Sequence, residues 1–485
     1  MDSSEPLKTD RSEQIEFKMG FTEILRNKKV QAVIGLTIFG LMILLFNLLA
    51  VDTAQAHQYY GLALLFLAIF FWILTPISYM FTAFLLISLS VALGILQPTE
   101  AFTGFASTTI FFLLGAFILA LTIEKHGLHK RIALKVLKRF GDTPERFLLG
   151  VILTGSFLSM TMPAHGVAAV FIPVLLSVYS VYEGEELDPN FIKASLLGLS
   201  FSTSIGSMGT LLGGARNPLA IEIYYSETSK YISFVEWFIA AIPMVLIMTG
   251  ILYIVLVKLF KIEGVDMQKL RDEVGTEVEE MGDLSMGEAK ALGFLISAFI
   301  GWAVLGQVLG MGVVAVFVSV VIALSGTIKW EDIAQRLPWG TIFLYGGAIS
   351  LAFILSEAQT LQFIAHALLD MAGENPFLLL AIFAALTAFL SNVMSNAATT
   401  GVILPIALSA MLAMDFADVL PVFLVALPSA FAFMFVVGTP SAALVYSTGH
   451  LEQKDFLVPG FILNVIGLVI FLTIGLGWWK LLGYW

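Results

Sequence analysis

Arg216 is the residue whose type and place point most directly to chemistry. A guanidinium presents a rigid fork of N–H donors that fits a carboxylate or another oxyanion in two parallel bonds. Of the 25 Lys and Arg in the chain, 22 fall on one side of the spans assigned below and Lys230 and Lys480 on the other, which leaves Arg216 alone at membrane depth. Placing a guanidinium there costs at least about 2.5–3.5 kcal/mol on insertion scales, so it must face a cavity or a partner. The chemistry implied is the holding of a small anion. Two plainer roles stand beside it: a pair with Glu222, further along the same stretch, or a cap for the carbonyls of a helical hairpin. Its neighbour Asn217 is a second candidate donor. His165 is the only one of six histidines at the centre of an apolar segment. It is either a neutral hydrogen-bonding group or a substrate-binding or proton-coupling group, because its charge changes near neutral pH. Ser395 and Asn396, with Thr399 and Thr400 just beyond, place amide and hydroxyl groups at the centre of a second apolar segment. The glycines at 206, 209, 213 and 214 permit close approach of helices and substrate, but they lack the Gly-Lys-Ser/Thr ending of a phosphate loop.

The chain that must position these groups has 485 residues, 58% of them hydrophobic and 13% charged, with a mean hydropathy of +0.93. Soluble globules carry about a quarter charged residues, so this is an integral membrane protein. Its 36 acids and 25 bases give a net charge of −11, and the bases are dispersed outside the apolar stretches, which leaves no basic face for nucleic acid. Without a single Cys, disulfides, thiolate metal sites, iron–sulfur clusters and cysteine nucleophiles are excluded together. The apolar segments hold no carboxylate cluster or nucleophile–base pair, which argues against a membrane-embedded enzyme.

Cutting the sequence at every Asp, Glu, Lys and Arg leaves eleven long uncharged segments, and a helix needs about 20 apolar residues to cross about 30 Å of hydrocarbon. Five have single-span length (30–51, 101–123, 237–257, 337–356 and 456–479), and four approach double length (59–99, 147–182, 291–328 and 375–414). The remaining two, 194–215 and 419–449, carry Gly and Pro inside or just beyond them and read as interrupted helices. No alternating ten-residue pattern recurs as a barrel requires. Six bases precede the first span (Lys8, Arg11, Lys18, Arg26, Lys28 and Lys29), seven lie at 125–146 and five at 258–290, whereas 52–58 and 370–374 contain none. The positive-inside rule then puts the N-terminus in the cytoplasm and, after eleven crossings, the C-terminus outside a cell membrane. Ala54-Gln55-Ala56 mimics a signal-peptide cleavage site, but the apolar run before it is too long and begins only at Val30, too far into the chain for a leader. Residues 125–139 set bases on one side and Ile132, Leu134, Val136 and Leu137 on the other, as an interfacial anchor does. Residues 261–290 carry nine acids and read as a solvated linker, too polar to pack.

The two sides of that linker repeat each other. TIFFLLGAFILAL at 109–121 matches TIFLYGGAISLAF at 341–353 with seven identities in thirteen, at an offset of 232. FLSMTMPAHGVAAVFIPV at 157–174 matches FLSNVMSNAATTGVILPI at 389–406 at the same offset. Chance likeness between apolar helices would scatter the offsets. Duplicated halves with an odd number of spans sit in the membrane with opposite topology, an inverted repeat. Segments 147–182 and 375–414 have their polar and helix-breaking residues at their midpoints, so each reads as a re-entrant hairpin whose tip lines a cavity deep in the bilayer.

These features resemble the divalent anion/sodium symporter family, carriers of dicarboxylates, citrate and sulfate. Its marks are two Ser-Asn-Thr hairpin tips, each followed by a proline, and a Gly-Thr-Pro-Pro-Asn-like break in a later helix of each half. Ser395-Asn396-Ala397 with Pro405 resembles the second tip, Gly438-Thr439-Pro440-Ser441-Ala442 the second break, and GTLLGGARNPLAI at 209–221 the first break. The likeness runs from about Tyr59 to Trp479. It implies a homodimer whose scaffold supports a transport domain moving like an elevator. In the family, the first tip and break hold one sodium ion, and the tip's Asn and Thr touch the substrate carboxylate. Here Pro163-Ala164-His165 and Ala215-Arg216-Asn217 stand in their place. A hard cation needs about six oxygen ligands, so the first sodium site is expected to be missing. Ser391, Ser395, Asn396 and Gly438 match the second half, and the resemblance implies a residual sodium site at Ser391, Asn396 and Gly438.

The expectation is therefore an all-α membrane protein with about 11 transmembrane helices and two re-entrant hairpins in an inverted repeat. A cytoplasmic segment 1–29 leads to a first helix and outer loop (30–58) and a first repeat (59–260) with hairpin 147–182 and broken helix 190–228. The acidic linker 261–290 follows, then a second repeat (291–485) with hairpin 375–414 and broken helix 419–449. The expected function is secondary active transport of small, divalent anions such as dicarboxylates or sulfate. Arg216 stands for the missing sodium charge, and His165, Asn217, Ser395, Asn396, Thr399, Thr400 and Thr439 complete the substrate site. No cofactor is expected beyond a coupling ion, Na+ or H+, and sodium dependence is reduced or replaced by exchange. The alternative is an inorganic ion carrier or sodium/proton antiporter of the same wider group.

Overall fold

A computed structural model describes residues 27–182, 187–262, 265–372, 375–416 and 418–485. The N-terminal segment up to residue 26, with four of the six bases expected before the first span, and Glu263 lie outside the described residues. Among the described residues the chain is helical, without a strand. Eight helices among the described residues are long and apolar enough to cross a membrane: Lys28–Leu49, Thr53–Leu74, Thr108–Lys125, Phe234–Leu259, Met286–Val304, Trp339–Glu357, Asn396–Ala413 and Gln453–Leu481. Five apolar helices are shorter (Tyr79–Ala92, Ala164–Ser180, Met311–Leu324, Pro376–Ser391 and Leu420–Ala430). Three of these fall in segments whose sequence is broken at its middle, and the other two are arms of double-length segments.

The repeat recurs in the helix boundaries. Thr108–Lys125, Leu128–Phe140, Pro144–Leu158 and Ala164–Ser180 are answered by Trp339–Glu357, Thr360–Ala372, Pro376–Ser391 and Asn396–Ala413. The last three pairs of helix starts keep the offset of the sequence repeat, and the first departs from it by a single position. The same local chemistry opens the third helix of each set. Thr143 accepts from Arg146 N before Pro144, and Asn375 accepts from Phe377 N and Leu378 N before Pro376. A side-chain oxygen thus satisfies amides of the first turn, while proline occupies the first position, where no amide bond is lost.

Contacts at the outer ends of these helix pairs place them. Before the first pair Asp142 meets Arg271, and after it the Tyr182 hydroxyl donates to Asp266 O at 2.7 Å, so both ends reach one stretch of the linker. At the second pair Phe377 and Phe416, one at each end, both meet the Trp485 ring, at centroid distances of 5.0 and 6.5 Å. The last long helix starts where Lys193 meets Asp455 at 2.9 Å, beside the Asn190 bond to Lys261 O, and it ends at Leu481, where Trp485 donates through Nε1 to Leu476 O at 3.0 Å. The outer ends of the two pairs therefore lie at opposite ends of that helix. At the linker end, Lys125 pairs with Asp332 at 2.5 Å and Glu124 meets Arg336, which binds the end of Thr108–Lys125 to the segment leading into Trp339–Glu357.

The linker packs, contrary to the expectation of a solvated segment. Met267–Glu280 is a helix with Met267, Leu270 and Val274 buried along one stripe, and this periodic stripe was hidden among the acids. The acids meet the bases of Leu128–Phe140, Glu277 with Lys130 at 3.1 Å and Glu279 with Lys138 at 3.7 Å. The basic helix buries Ala133, Leu134 and Leu137 as its amphipathic pattern requires, but Arg131 is the exception on its charged side. Arg131 is 6% exposed and holds Glu288, itself 3% exposed, through Nε at 2.5 Å and Nη2 at 2.9 Å. It also donates to the carbonyls of Met281, Gly282 and Asp283.

Glu288→Ala would leave that guanidinium buried and unpaired, which costs about 3 kcal/mol at the low end for broken buried pairs. The melting temperature of the detergent-solubilised protein is expected to fall by several degrees, whereas Lys138→Ala, at an exposed pair, is expected to leave it within a degree or two.

Candidate functional site

Both tips, both helix breaks and three further helices line a cavity of about 380 Å³. The first turn contributes Pro163, Ala164 and His165, and the second contributes Ser395, Asn396 and Ala397. From the first break come Ser204, Ser207 and Gly213 to Arg216, and from the second Val436 to Ser441. Tyr79, Phe117, Thr341 and Leu344 close it from helices that carry neither tip nor break. No acidic residue is among the lining side chains.

Arg216 opens the helix Arg216–Thr228 and is 5% exposed. Its Nε donates to Ala426 O at 3.0 Å and its Nη2 to Ser207 Oγ at 2.9 Å. Ala426 ends the short helix Leu420–Ala426, whose free carbonyls carry the negative end of its dipole. A Cβ on Gly214 would stand 2.6 Å from Nη1, so only glycine leaves the guanidinium its place. The pairing with Glu222 that the spacing allows does not form, because Glu222 Oε2 accepts from Thr109 Oγ1 at 2.6 Å. The capping role is met in part, at the broken helix and not at a hairpin. Among the described residues, no carboxylate forms an ion pair with Arg216.

Other residues read from the sequence separate into two groups. His165, Ser395, Asn396, Gly438 and Thr439 reach the cavity together with Arg216. Asn217, Thr399, Thr400 and Ser391 are fully buried and do not line it. Asn217 ties the first break together, donating through Nδ2 to Ser207 O at 2.9 Å and Thr210 O at 2.7 Å. Thr400 returns its hydroxyl to Asn396 O at 2.9 Å within its own helix. Gly206 and Gly213 permit the close approach expected of them, since Cβ atoms there would stand 2.0 Å from Ser156 O and 2.3 Å from Ser159 O. Thr439 caps the helix after the second break, accepting from Ala442 N at 3.1 Å.

The two turns differ in their free oxygens. Ser391 Oγ, Asn396 Oδ1 and Thr399 Oγ1 are buried without a hydrogen-bond partner. Their equivalents in the first half are Ser159, whose hydroxyl is engaged by Ser156 O at 3.2 Å, and the apolar Ala164 and Val167. Buried oxygens without protons to accept are rare unless something else occupies them, and a hard monovalent cation is one such occupant. The second turn thus keeps unsatisfied oxygens of the kind a hard cation takes and the first turn has none, although Asn217 Oδ1 at the first break is likewise buried without a partner.

Tyr79, Ser204, Ser207, Thr341 and Ser441 were not singled out from the sequence, nor was Asn392. Thr341 carried a signal, as the repeat partner of Thr109; Ser204 and Ser207 lay in a hydroxyl-rich run, while Tyr79 carried none. Asn392 joins the second turn to the second break: its Nδ2 donates to Ala388 O at 2.7 Å and Phe431 O at 2.9 Å, and its Oδ1 accepts from Met434 N at 2.8 Å.

Comparison with known proteins agrees on one grouping. The family described as "Sodium:sulfate symporter transmembrane region" matches residues 27–485. The sodium-dependent dicarboxylate transporter SdcS of Staphylococcus saprophyticus is 27% identical over 494 residues, which cover 95% of this chain and 94% of that protein. The Staphylococcus aureus protein of that name is 28% identical over 83% of this chain and 82% of its own length. An uncharacterised transporter of Haemophilus influenzae is 28% identical over 90% of this chain and 95% of its own. Among solved structures, the YdaH transporter of Alcanivorax borkumensis superposes with a TM-score of 0.53 at 14% identity, over 78% of this chain and 86% of that one. MtrF of Neisseria gonorrhoeae gives 0.53 at 15% identity, over 77% and 81%. At such identities the structures speak for the fold alone.

Asn392→Ala removes three bonds and strands the Met434 amide and the Phe431 carbonyl at the second break. A loss of about 2–4 kcal/mol follows from leaving buried polar groups unpaired. Thr400→Val removes only a bond within its own helix and is expected to cost less than about 1 kcal/mol. Thermal unfolding of the two variants side by side checks the contrast.

Proposed function

This chain belongs to the sodium:sulfate symporter family of membrane transporters, and on that premise we propose that it carries small divalent anions, dicarboxylates or sulfate-like, by an elevator movement, with Arg216 as the fixed cation of the anion site. The observation that carries this is a guanidinium 5% exposed, lining a cavity of about 380 Å³, balanced only by a carbonyl and a hydroxyl. A cation held by dipoles alone keeps its charge available to an anion. Ser395, Asn396 and Thr439 line the same cavity as neutral partners, and His165 stands at the first tip.

Several features support the elevator and the inverted repeat. The outer ends of each helix pair meet at one end of the molecule, linker for the first and C-terminus for the second, as two re-entrant hairpins entering from opposite sides would. Tips and breaks line the cavity together with Tyr79, Phe117, Thr341 and Leu344, which belong to helices that carry neither, as residues at a boundary between moving and stationary helices would. The bases gathered at the linker end place that end, and the N-terminus, in the cytoplasm and the C-terminus outside. A homodimer in the cell membrane completes the reading.

Coupling follows from the unequal turns. The orphaned oxygens of Ser391, Asn396 and Thr399 supply at most one sodium site, and Arg216 takes the place of the other charge. Sodium, where it assists, does so singly, and anion exchange proceeds without it.

Arg216→Ala should abolish stabilisation by sulfate or succinate in a thermal-shift titration, and Arg216→Lys, which keeps the charge but loses the fork, should weaken it about tenfold or more. Affinity unchanged in both would remove Arg216 from the site. In proteoliposomes, succinate uptake is expected to depend on sodium with a Hill coefficient no greater than about 1, and Ser391→Ala should raise the half-saturating sodium concentration; a steep, multi-ion dependence would defeat the fixed-cation reading.

A further inference from the structure

The matched stretches that open the two halves put Thr109 and Thr341 at equivalent positions of the repeat. Each stands near the start of its helix, Thr108–Lys125 or Trp339–Glu357. The pairs Lys125–Asp332 and Glu124–Arg336 hold the end of the first helix against the approach to the second, so the two threonines lie toward opposite ends of the molecule. Their surroundings are not equivalent. Thr341 lines the cavity. Thr109 is 7% exposed, and its hydroxyl donates to Glu222 Oε2 at 2.6 Å. Glu222 belongs to Arg216–Thr228, the helix that presents Arg216 to the anion site, about 9 Å along the axis from it. A charge-assisted bond therefore ties the helix bearing the anion-binding cation to a helix that carries neither tip nor break.

We propose that Thr109 and Thr341 take turns at the cavity, and that the Thr109–Glu222 bond is the latch that holds the present arrangement, with Thr341 at the cavity and Thr109 shut away from it. The proposal rests on the elevator reading. Two inverted halves that exchange roles must exchange the environments of equivalent residues, and the one charged bond made by one member of this pair exists in only one arrangement. Glu222 touches no substrate. It is a positioning residue, which sets how the population divides between the two arrangements.

The chain has no cysteine, so Val437→Cys gives a single thiol on the second break, at a position 77% exposed and lining the cavity. Inside-out and right-side-out vesicles carrying it are labelled with a membrane-impermeant maleimide, with and without succinate. Labelling from the linker face is expected to predominate. Adding Glu222→Ala or Thr109→Val should raise the ratio of far-face to linker-face labelling about tenfold, as loss of one charge-assisted bond predicts. Glu222→Gln, which keeps an acceptor, should raise it less, and the double variant should match either single one because both remove the same bond. If Glu222→Ala does not yield monodisperse protein, Thr109→Val and Glu222→Gln decide the question. A ratio that Thr109→Val or Glu222→Ala leaves unchanged, or effects that add in the double variant, overturns the latch even where succinate shifts the ratio. A thiol labelled from one face only, in every variant and with or without succinate, overturns the elevator reading itself and the alternation with it.

Discussion

A guanidinium taken out of water loses several kcal/mol of hydration, and it recovers them only from acceptors aimed at it. Arg216 finds its acceptors because the chain breaks a helix for it. In a continuous helix the Ala426 carbonyl would accept from the amide of residue 430, but Ala430 N turns to Leu427 O where Pro428 interrupts the ladder. The freed oxygen accepts from Ser429 Oγ at 2.7 Å and from Arg216 Nε at 3.0 Å. The first break contributes Ser207 and the space left by Gly214. One cation thus depends on irregular backbone from both halves, which is why both breaks converge on it. Backbone of that kind persists at membrane depth only where protein or a cavity satisfies it.

The duplication explains the frame, and divergence explains the chemistry. Helix boundaries, proline caps and close glycine contacts recur between the halves, so both turns are aimed at the cavity by the same local rules. Their polar content has moved apart. The second turn keeps buried oxygens at Ser391, Asn396 and Thr399, while the first has Ser159 engaged and Ala164 and Val167 apolar. A positive charge that a mobile ion would supply on one side is supplied on the other by covalent structure. On the proposed reading, the site is a dipole-lined chamber with a permanent cation at one pole and an exchangeable one at the other.

Much of this was legible because membrane constraints are strict. Apolar length and a constant offset between the halves located the apolar helices and the two polar turns, and the placement of bases singled out Arg216, which the structure buries. The likeness of the breaks to a known pattern located Gly438 and Thr439. Misplaced roles share a cause: on a helix, residues three or four apart share a face, but which face meets the cavity is set by packing. Thr399 and Thr400 follow the tip in sequence yet turn inward, and Asn217 spends its amide on the break beside Arg216. Asn392 went unnoticed because its work is to bind a backbone carbonyl and an amide 39 and 42 residues away. The linker's apolar stripe of Met267, Leu270 and Val274 was masked by composition, since nine acids outweigh three buried side chains in any average.

Charge arithmetic links the site to the way the carrier turns over. On the proposed reading, Arg216 travels with the moving helices, and no acidic side chain within the cavity offsets it, since the Glu222 carboxylate stands about 9 Å further along the same helix and bonds Thr109. An empty carrier would take an uncompensated positive charge through a low-dielectric interior, a step opposed by several kcal/mol. A monovalent anion cancels that charge; a dianion reverses it and leaves room for one cation at the second turn. The loaded complex with one dianion and one sodium is neutral, and so is its passage. Return is easiest with another anion aboard, which makes exchange the favoured cycle and net uptake the slower one. The same arithmetic accounts for the lost oxygens at the first turn: with a guanidinium already present, a second bound cation would leave a dianion complex positively charged, and nothing in the cavity would offset it.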